Sequence, residues 1–148
     1  MNPLGNQPIK TETIRKTLET HGLKVTPQRS VVLGYLMSTD RHPNAEEVFQ
    51  AVSIHLGGAI SKATVYNTLN TLVDAGAIVE VSAEPGVTRY DANIESHHHF
   101  IDRETGRIYD IPWESVEPLC QTLGNDFSIQ DYHVTFYGKA LKQDHSPP

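Results

Sequence analysis

The chain has 148 residues, 38% of them hydrophobic and 20% charged, a composition typical of a globular protein that can bury a core. No apolar run approaches the roughly 18 residues of a membrane span, and the first residues lack a signal-peptide layout. The sequence therefore predicts a cytoplasmic protein without membrane contact. A single cysteine, Cys120, excludes an internal disulfide framework and a cysteine-based zinc site within one chain.

The net charge of −6 is distributed unevenly along the chain. Residues 1–82 carry seven basic and seven acidic side chains, whereas residues 83–148 carry five basic and eleven acidic ones. Five of the basic residues fall within residues 10–29. The first half can therefore face phosphates, while the second half offers the carboxylates and histidines that cations prefer.

Local start signals predict four helices in the first half of the chain. Each of the last three starts has a side chain that can cap, and the second also has proline at its first helical position. The predicted starts are residue 11, Thr26–Pro27, Asn44 with Glu47, and Ser61, and the fourth helix ends at Gly76. The predicted buried stripes are Val31, Val32, Tyr35 and Leu36; Val48, Val52 and Leu56; and Val65, Leu69, Leu72 and Val73.

After Gly76 the apolar period changes from helix-like to strand-like. Residues 77–82 and 87–92 form two short strand-like runs joined by a turn at residues 83–86, which predicts a hairpin. Helices followed by a hairpin are the layout of a winged helix-turn-helix domain, here over residues 1–90.

The remaining sequence predicts a small α/β domain over residues 95–148, joined by a hinge at 91–94. Strand-like segments on both sides of a turn precede a helix at 113–123 and a strand at 128–137, with mainly antiparallel pairing expected. The predicted fold class is therefore α+β, with a C-terminal α/β domain after the winged helix-turn-helix.

The fourth helix is the predicted DNA-recognition helix, because the second helix of a helix-turn-helix pair enters the major groove. Lys62 suits a phosphate, Asn67 suits adenine, and Tyr66 suits a thymine methyl group or the DNA backbone. A solvated polar face on an amphipathic helix is the alternative interpretation. The predicted DNA-binding residues are Lys24, Gln28, Arg29, Lys62, Thr64, Tyr66, Asn67 and Asn70.

Three consecutive histidines, His97 to His99, lie on a predicted strand. Side chains alternate between the two faces of a strand, so His97 and His99 share a face about 7 Å apart and can converge on one cation. Two imidazoles with nearby carboxylates, such as Asp91 and Asp110, suit Fe(II), Mn(II), Co(II) or Zn(II). Solvated or hydrogen-bonded histidines without a metal are the alternative.

Four segments together resemble the ferric uptake regulator family. They are "VTPQR", "HPNAEEVF", "SKATVYNTL" and "HHHFID...GRIYDI", in the family's order and spacing, within a similarity that runs from about residue 12 to residue 140. The resemblance implies a winged-helix DNA-binding domain, a C-terminal dimerisation domain and a homodimer. It also implies repression of transcription at AT-rich palindromic double-stranded operators when Fe(II) or Mn(II) is bound, with Zn(II) as another occupant.

The resemblance also implies a regulatory metal site with ligands from both domains. The matching residues here are His42, Asp91, His97, His99 and Asp110. A metal bound by both halves would fix the angle between the DNA-binding and dimerisation domains, so the metal would regulate and DNA binding would be the output.

At two positions the residue type is the one that is typical of the peroxide-sensing branch of the family. That branch has aspartate at the position of Asp110, and it tends to have asparagine at the position of Asn67. In it the histidines matching His42 and His97 are oxidised when peroxide meets bound Fe(II). An iron- or haem-responsive regulator of the same family is the alternative function.

An enzyme is the alternative from another class of protein. Two histidines and an acid resemble the facial triad of a non-haem Fe(II) oxygenase. Five protein ligands would leave little room for a substrate, and the recognition helix would have no role. The sequence therefore predicts a regulator and not an enzyme.

The chain departs from the family at two metal sites. Most relatives hold a structural zinc with two CxxC pairs, whereas the matching residues here are Asp102, Thr105, Ala140 and Gln143. The resemblance therefore implies no four-cysteine zinc, and packing alone is expected to stabilise the dimer. A second peripheral metal site would survive only in altered form, through His98, Glu117 and His133, because Ser96 and Tyr132 are poor ligands.

Overall fold

The computed structural model describes residues 10–142. The chain divides into two compact units between Ile94 and Glu95. In the described range, none of the helices is long and apolar enough to cross a bilayer.

The first unit consists of four helices followed by an antiparallel hairpin. The elements are α1 Thr11–Thr20, α2 Pro27–Ser38, α3 Ala45–His55, α4 Lys62–Asp74, β1 Val79–Glu84 and β2 Val87–Asp91. In the hairpin, Val79 pairs with Asp91 and Glu84 pairs with Val87, so the wing turns at Pro85–Gly86. The arrangement confirms the predicted winged helix-turn-helix.

The predicted caps form as side-chain hydrogen bonds. Thr26 accepts from the backbone N–H of Arg29 ahead of Pro27. Asn44 forms a capping box with Glu47, because each side chain accepts from the other residue's backbone N–H. Ser61 accepts from the backbone N–H of Thr64 at the start of α4. These starts were predictable because each depends on residues within one helical turn.

The core of the first unit is built around α2, which packs against α1, α3 and α4. Because it has neighbours on three sides, α2 buries Leu33 as well as the predicted Val32 and Leu36. Four residues of the predicted stripes are only half-buried and pack against the edge of this core: Val31, Tyr35, Leu56 and Val73. Thr68 is buried instead, and its hydroxyl donates to the Thr64 carbonyl at 2.7 Å.

The second unit contains one sheet of three strands and a short helix. The elements are β3 His97–Asp102, β4 Ile108–Pro112, a 3-10 turn Trp113–Val116, α5 Glu117–Leu123 and β5 Thr135–Gly138. The strand order is β4-β3-β5. Strand β3 is antiparallel to β4 and parallel to β5.

The last strand differs from its prediction in extent and direction. It begins at Thr135 and not at residue 128, and it pairs with β3 in parallel, so the pairing is not mainly antiparallel. A long connection through α5 and an exposed stretch returns the chain to the end of the sheet where β3 begins, which is the geometry that parallel pairing requires. The predicted helix at 113–123 starts as the 3-10 turn and continues as α5.

Asp102 ties the β3–β4 turn to the chain after β5. Its Oδ1 accepts hydrogen bonds from the backbone N–H groups of Glu104 at 2.8 Å and Thr105 at 3.1 Å. Its Oδ2 accepts from the backbone N–H of Ala140 at 3.1 Å. The residue is only 2% exposed. Within this unit a hydrogen-bonded carboxylate therefore joins the β3–β4 turn to the chain after β5.

Candidate metal centre

Strand register places His97, His99 and Asp110 on one face of the second unit's sheet. His99 is the cross-strand partner of Asp110, and His97 lies two residues earlier on β3. Cross-strand partners share a face, as do residues two apart on one strand. The strand register therefore brings three of the predicted ligands together on the sheet itself, with none of the three on a loop.

The three side chains direct their donor atoms at one another. The Nε2 atoms of His97 and His99 lie 3.3 Å and 3.6 Å from Oδ1 of Asp110. The two imidazole rings meet edge to face, with centroids 4.7 Å apart. One donor atom from each residue lies within 4.8 Å of the others. Two imidazole nitrogens and a carboxylate oxygen at this spacing suit Mn(II), Fe(II) or Zn(II).

Each of these histidines is held through its other ring nitrogen. Nδ1 of His97 lies 2.6 Å from the carbonyl oxygen of Glu95, to which it donates. Nδ1 of His99 lies 2.9 Å from Nε2 of His133. A neutral imidazole that keeps its proton on Nδ1 presents the lone pair of Nε2, which is the form that ligates a metal. Both rings are therefore oriented with Nε2 towards Asp110.

His42 and Asp91 form a second pair of predicted ligands, within the first unit. Nε2 of His42 lies 3.1 Å from Oδ2 of Asp91, and both residues are buried. His42 has φ +52°, in the left-handed region that side chains other than glycine rarely adopt. The guanidinium of Arg89 on β2 donates to the His42 carbonyl at 3.3 Å, and the Tyr90 N–H donates to the Pro43 carbonyl at 2.9 Å. Strained backbone of this kind concentrates at functional sites.

His98 occupies the opposite face of β3 and is fully buried. Its ring stacks on Trp113 with centroids 4.6 Å apart and on Tyr132 at 5.4 Å. Its Nδ1 accepts from the backbone N–H of Val134 at 3.0 Å. Burial lowers the pKa of His98, with the nearby His133 and His97 adding to the effect, so the ring is held in its neutral form.

The predicted second metal site is not assembled in the part of the chain that the structure describes. His98, Glu117 and His133 do not form a group of donor atoms there, whereas His133 contacts His99. The parallel register aligns His133 with the face of His99, whereas its neighbour Tyr132 stacks on His98 on the opposite face. Sequence reasoning missed this contact, which depends on how β5 pairs.

The predicted DNA-binding residues lie just before α2, in its first turn and on α4. Lys62, Tyr66, Asn67 and Asn70 are exposed on α4, while Thr64 is half-buried, with its hydroxyl 2.9 Å from the Ser61 hydroxyl. Lys24 and Gln28 are exposed, and the half-buried Arg29 donates to the Lys24 carbonyl at 2.9 Å.

Lys62 has a partner on the neighbouring helix. Its Nζ lies 3.0 Å from Oε2 of Glu46 on α3, and the Lys62 ammonium lowers the pKa of Glu46. Both side chains are about half exposed. A phosphate would therefore compete with Glu46 for this ammonium, in a solvent-screened position where the ion pair is weak.

A winged helix-turn-helix unit followed by a unit with a histidine–aspartate cluster defines the class of protein: a DNA-binding regulator that responds to metal. Comparison with known proteins agrees with this class. The profile of the "Ferric uptake regulator family" matches residues 20–137. The chain belongs to this family.

Individual relatives cover most of the chain. The peroxide-responsive repressor PerR of Staphylococcus aureus strain Mu50 is 34% identical over 125 residues, which are 82% of this chain and 83% of the relative. A zinc-bound manganese uptake regulator superposes with a TM-score of 0.73 at 29% identity, covering 87% of this chain and 99% of the other. The Campylobacter jejuni peroxide stress regulator does so with a TM-score of 0.63 at 33% identity, covering 86% and 96%.

Proposed function

We propose that the chain is a metal-dependent DNA-binding transcriptional repressor that senses peroxide. The observation that carries the proposal is the convergence of the His97 and His99 Nε2 atoms on one Asp110 oxygen, in a chain that also has a winged helix-turn-helix unit. Two imidazole nitrogens that converge on a carboxylate oxygen form a donor set that suits a divalent cation.

The donor chemistry favours a hard or borderline cation. Imidazole and carboxylate ligands without thiolate suit Fe(II) or Mn(II), with Zn(II) as a further occupant. The solved relatives include proteins described with bound zinc, manganese and iron. We therefore propose Fe(II) or Mn(II) as the regulatory metal of this chain.

The complete ligand set is proposed to draw on both units. The family resemblance adds His42 and Asp91 to His97, His99 and Asp110, and only residues 92–96 separate Asp91 from His97 in the chain. Residues 91–94 would then act as the hinge. An ion that requires ligands from both units favours whichever arrangement brings the ligands together, in proportion to its difference in affinity for the two states.

DNA is the proposed output of the switch. The exposed face of α4 carries one ammonium, two amides and a phenol, which suit phosphate and base-edge contacts. We propose that a homodimer presents two such helices to an AT-rich palindrome, whose half-sites must lie about one helical turn, ~34–36 Å, apart.

Peroxide is the proposed signal because Asp110 and Asn67 match the peroxide-sensing branch and PerR proteins are among the relatives. Fe(II), when bound, would supply one electron to hydrogen peroxide and recover it from the histidine, so that the imidazole is the net two-electron reductant. His42 or His97 is proposed to gain one peroxide oxygen on its ring, and the other peroxide oxygen would leave as water. An oxidised imidazole is a poorer ligand, so the affinity for metal and then for DNA would fall.

Selection of DNA sequences by the metal-loaded protein tests this function directly. A random DNA pool is selected on the protein with Mn(II), and affinity for the enriched DNA is measured by fluorescence anisotropy with and without the metal. Mn(II) is expected to tighten binding about 10- to 100-fold in the wild type but not in Asp110→Ala. His55→Ala, at the exposed C-terminal end of α3, is the matched control and should behave as the wild type. Equal affinity with and without metal would refute the proposal.

An iron- or haem-responsive regulator of the same family is the second candidate, because the solved relatives include ferric uptake regulators and the missing CxxC pairs fit the resemblance to peroxide-sensing and haem-responsive members alike. Haem titration separates the two. A Soret band that saturates at one haem per chain, together with a change in affinity for the selected DNA, would establish the second candidate in place of the first.

A further inference from the structure

We propose that His133 is a positioning residue that orients the metal ligand His99. The proposal rests on the function proposed above, because it concerns the geometry of the same metal site. It assigns a role to a side chain outside the ligand set, at a position that the sequence did not connect with His99.

The contact between the two histidines follows from the register of the sheet. Strand β5 runs parallel to β3, with Thr135 beside His99. His133, two residues before Thr135, therefore extends along the face that carries His99 and its neighbours. The His99 N–H donates to the Val134 carbonyl at 3.1 Å, which fixes the chain next to His133. The result is the 2.9 Å contact between His99 Nδ1 and His133 Nε2.

The direction of this hydrogen bond is set by the metal ligation proposed for His99. A metal takes the lone pair of His99 Nε2, so the neutral ring keeps its proton on Nδ1 and donates it. His133 must then accept at Nε2 and carry its own proton on Nδ1. A ligating histidine with such an acceptor behind it is fixed in tautomer and ring orientation and is a stronger base towards the metal.

The two ligand histidines of β3 thus have different supports. His97 donates from Nδ1 to a backbone carbonyl, that of Glu95, which substitution cannot remove. His99 depends on a side chain, which substitution can remove. His133 itself is directed at the rear nitrogen of His99, whereas the Asp110 carboxylate lies at the Nε2 side. The geometry therefore makes His133 a support for a ligand and not a ligand.

The test combines zinc affinity with the protonation of individual ring nitrogens. Zn(II) affinity is measured by competition with a chelating dye for the wild type, His133→Leu, His133→Gln and the control His55→Ala. ¹⁵N-histidine NMR of the Zn(II)-loaded proteins reports which nitrogen of each ring binds metal and which bears a proton. Because His133 is exposed, its variants are expected to fold, which the fluorescence of the single tryptophan, Trp113, checks.

We expect His133→Leu to lose about 10- to 100-fold in zinc affinity, the range for removing the hydrogen-bond partner of a ligating histidine. The slowly exchanging Nδ1 proton of His99 should disappear with it. His133→Gln, whose amide oxygen still accepts, should restore most of the affinity, and His55→Ala should match the wild type. A role limited to stability would not produce this pattern of rescue.

Three results would overturn the proposal in distinguishable ways. Wild-type affinity and an unchanged His99 proton in His133→Leu would remove the positioning role and leave the metal site intact. A metal-bound ¹⁵N shift on His133 would make it a ligand. The absence of any metal-bound shift on His99 in the wild-type protein would refute the site itself, and with it the function on which the proposal rests.

Discussion

The carboxylate of Asp102 joins two segments of the second unit by hydrogen bonds. Two of its three hydrogen bonds close the turn after β3, and the third reaches the backbone of Ala140, 38 residues along the chain. The hydrogen bond from the Ala140 N–H has the largest effect on the pKa of the Asp102 carboxyl and lowers it. Burial raises the pKa, but the N–H groups of the turn lower it further, so the net effect is a lowered pKa. Lys139 also lowers the pKa through its charge.

Replacing Asp102 by asparagine is expected to destabilise the second unit. The amide NH₂ would face a backbone N–H that now donates to a carboxylate oxygen, so two donors would oppose each other. The midpoint of thermal unfolding at pH 7, followed by Trp113 fluorescence, should fall on the order of 5 °C. Asp126→Asn, an exposed acid after α5, is the control and should leave the midpoint unchanged. Equal midpoints for Asp102→Asn and the wild type would contradict this role.

The same hydrogen bonds predict how the stability of the second unit depends on pH. The pKa of Asp102 is lower in the folded protein than in the unfolded chain, where it is about 3.9. The carboxylate therefore contributes fully to the free energy of unfolding above that unfolded-state pKa, and this contribution is lost as pH falls through the folded-state pKa. The difference in midpoint between wild type and Asp102→Asn should therefore be constant above about pH 5 and narrow in stronger acid. A difference that widens below pH 4 would mean that another group dominates.

Helix α4 has a buried packing face and an exposed polar face, which is the proposed DNA-recognition face. Val65, Leu69 and Leu72 are fully buried, and Leu69→Ala is expected to cost about 2–5 kcal/mol of stability through the cavity that it leaves. The opposite face carries Lys62, Tyr66, Asn67 and Asn70, of which only Lys62 has an ion-pair partner among the described residues. Changes on this face should therefore alter DNA binding with little effect on folding.

Two substitutions on α4 should weaken DNA binding differently. Lys62→Ala would remove the proposed phosphate contact, so affinity should fall for all sequences alike and the salt slope should decrease by about one. Asn67→Ala would remove the proposed base contact and should cost about 1–3 kcal/mol with relaxed preference at one base position. Anisotropy titrations over a range of salt measure both effects. Identical effects of the two variants on every DNA would contradict the division of roles.

The elements that the sequence predicted well are those with local causes. Thr26, Asn44 and Ser61 cap helices with partners one turn away, and the alternation on β3 already placed His97 and His99 on one face. The parallel pairing of β5 and the contacts of Asp102 and His133 were missed. Each of these joins residues more than 30 positions apart, so no local pattern encodes it.

At the scale of the whole molecule, charge and ligands divide between the two units. The acidic excess lies in residues 83–148, and the described residues bring together His97, His99 and Asp110 in the second unit and His42 with Asp91 in the first. If one ion joins these groups, its binding energy biases the arrangement of the units. If DNA binds the same arrangement more tightly, as proposed, metal and DNA strengthen each other's binding by the same factor.

The sensing claim is tested most directly by mass spectrometry of Fe(II)- and Mn(II)-loaded protein after brief exposure to hydrogen peroxide, with release of the selected DNA followed in the same samples. Protein loaded with Fe(II) is predicted to gain one oxygen atom on the peptide with His42 or His97 and to release DNA. Protein loaded with Mn(II) should do neither. Unmodified histidines in the Fe(II) form, or equal oxidation and DNA release with both metals, would contradict peroxide sensing by this chain.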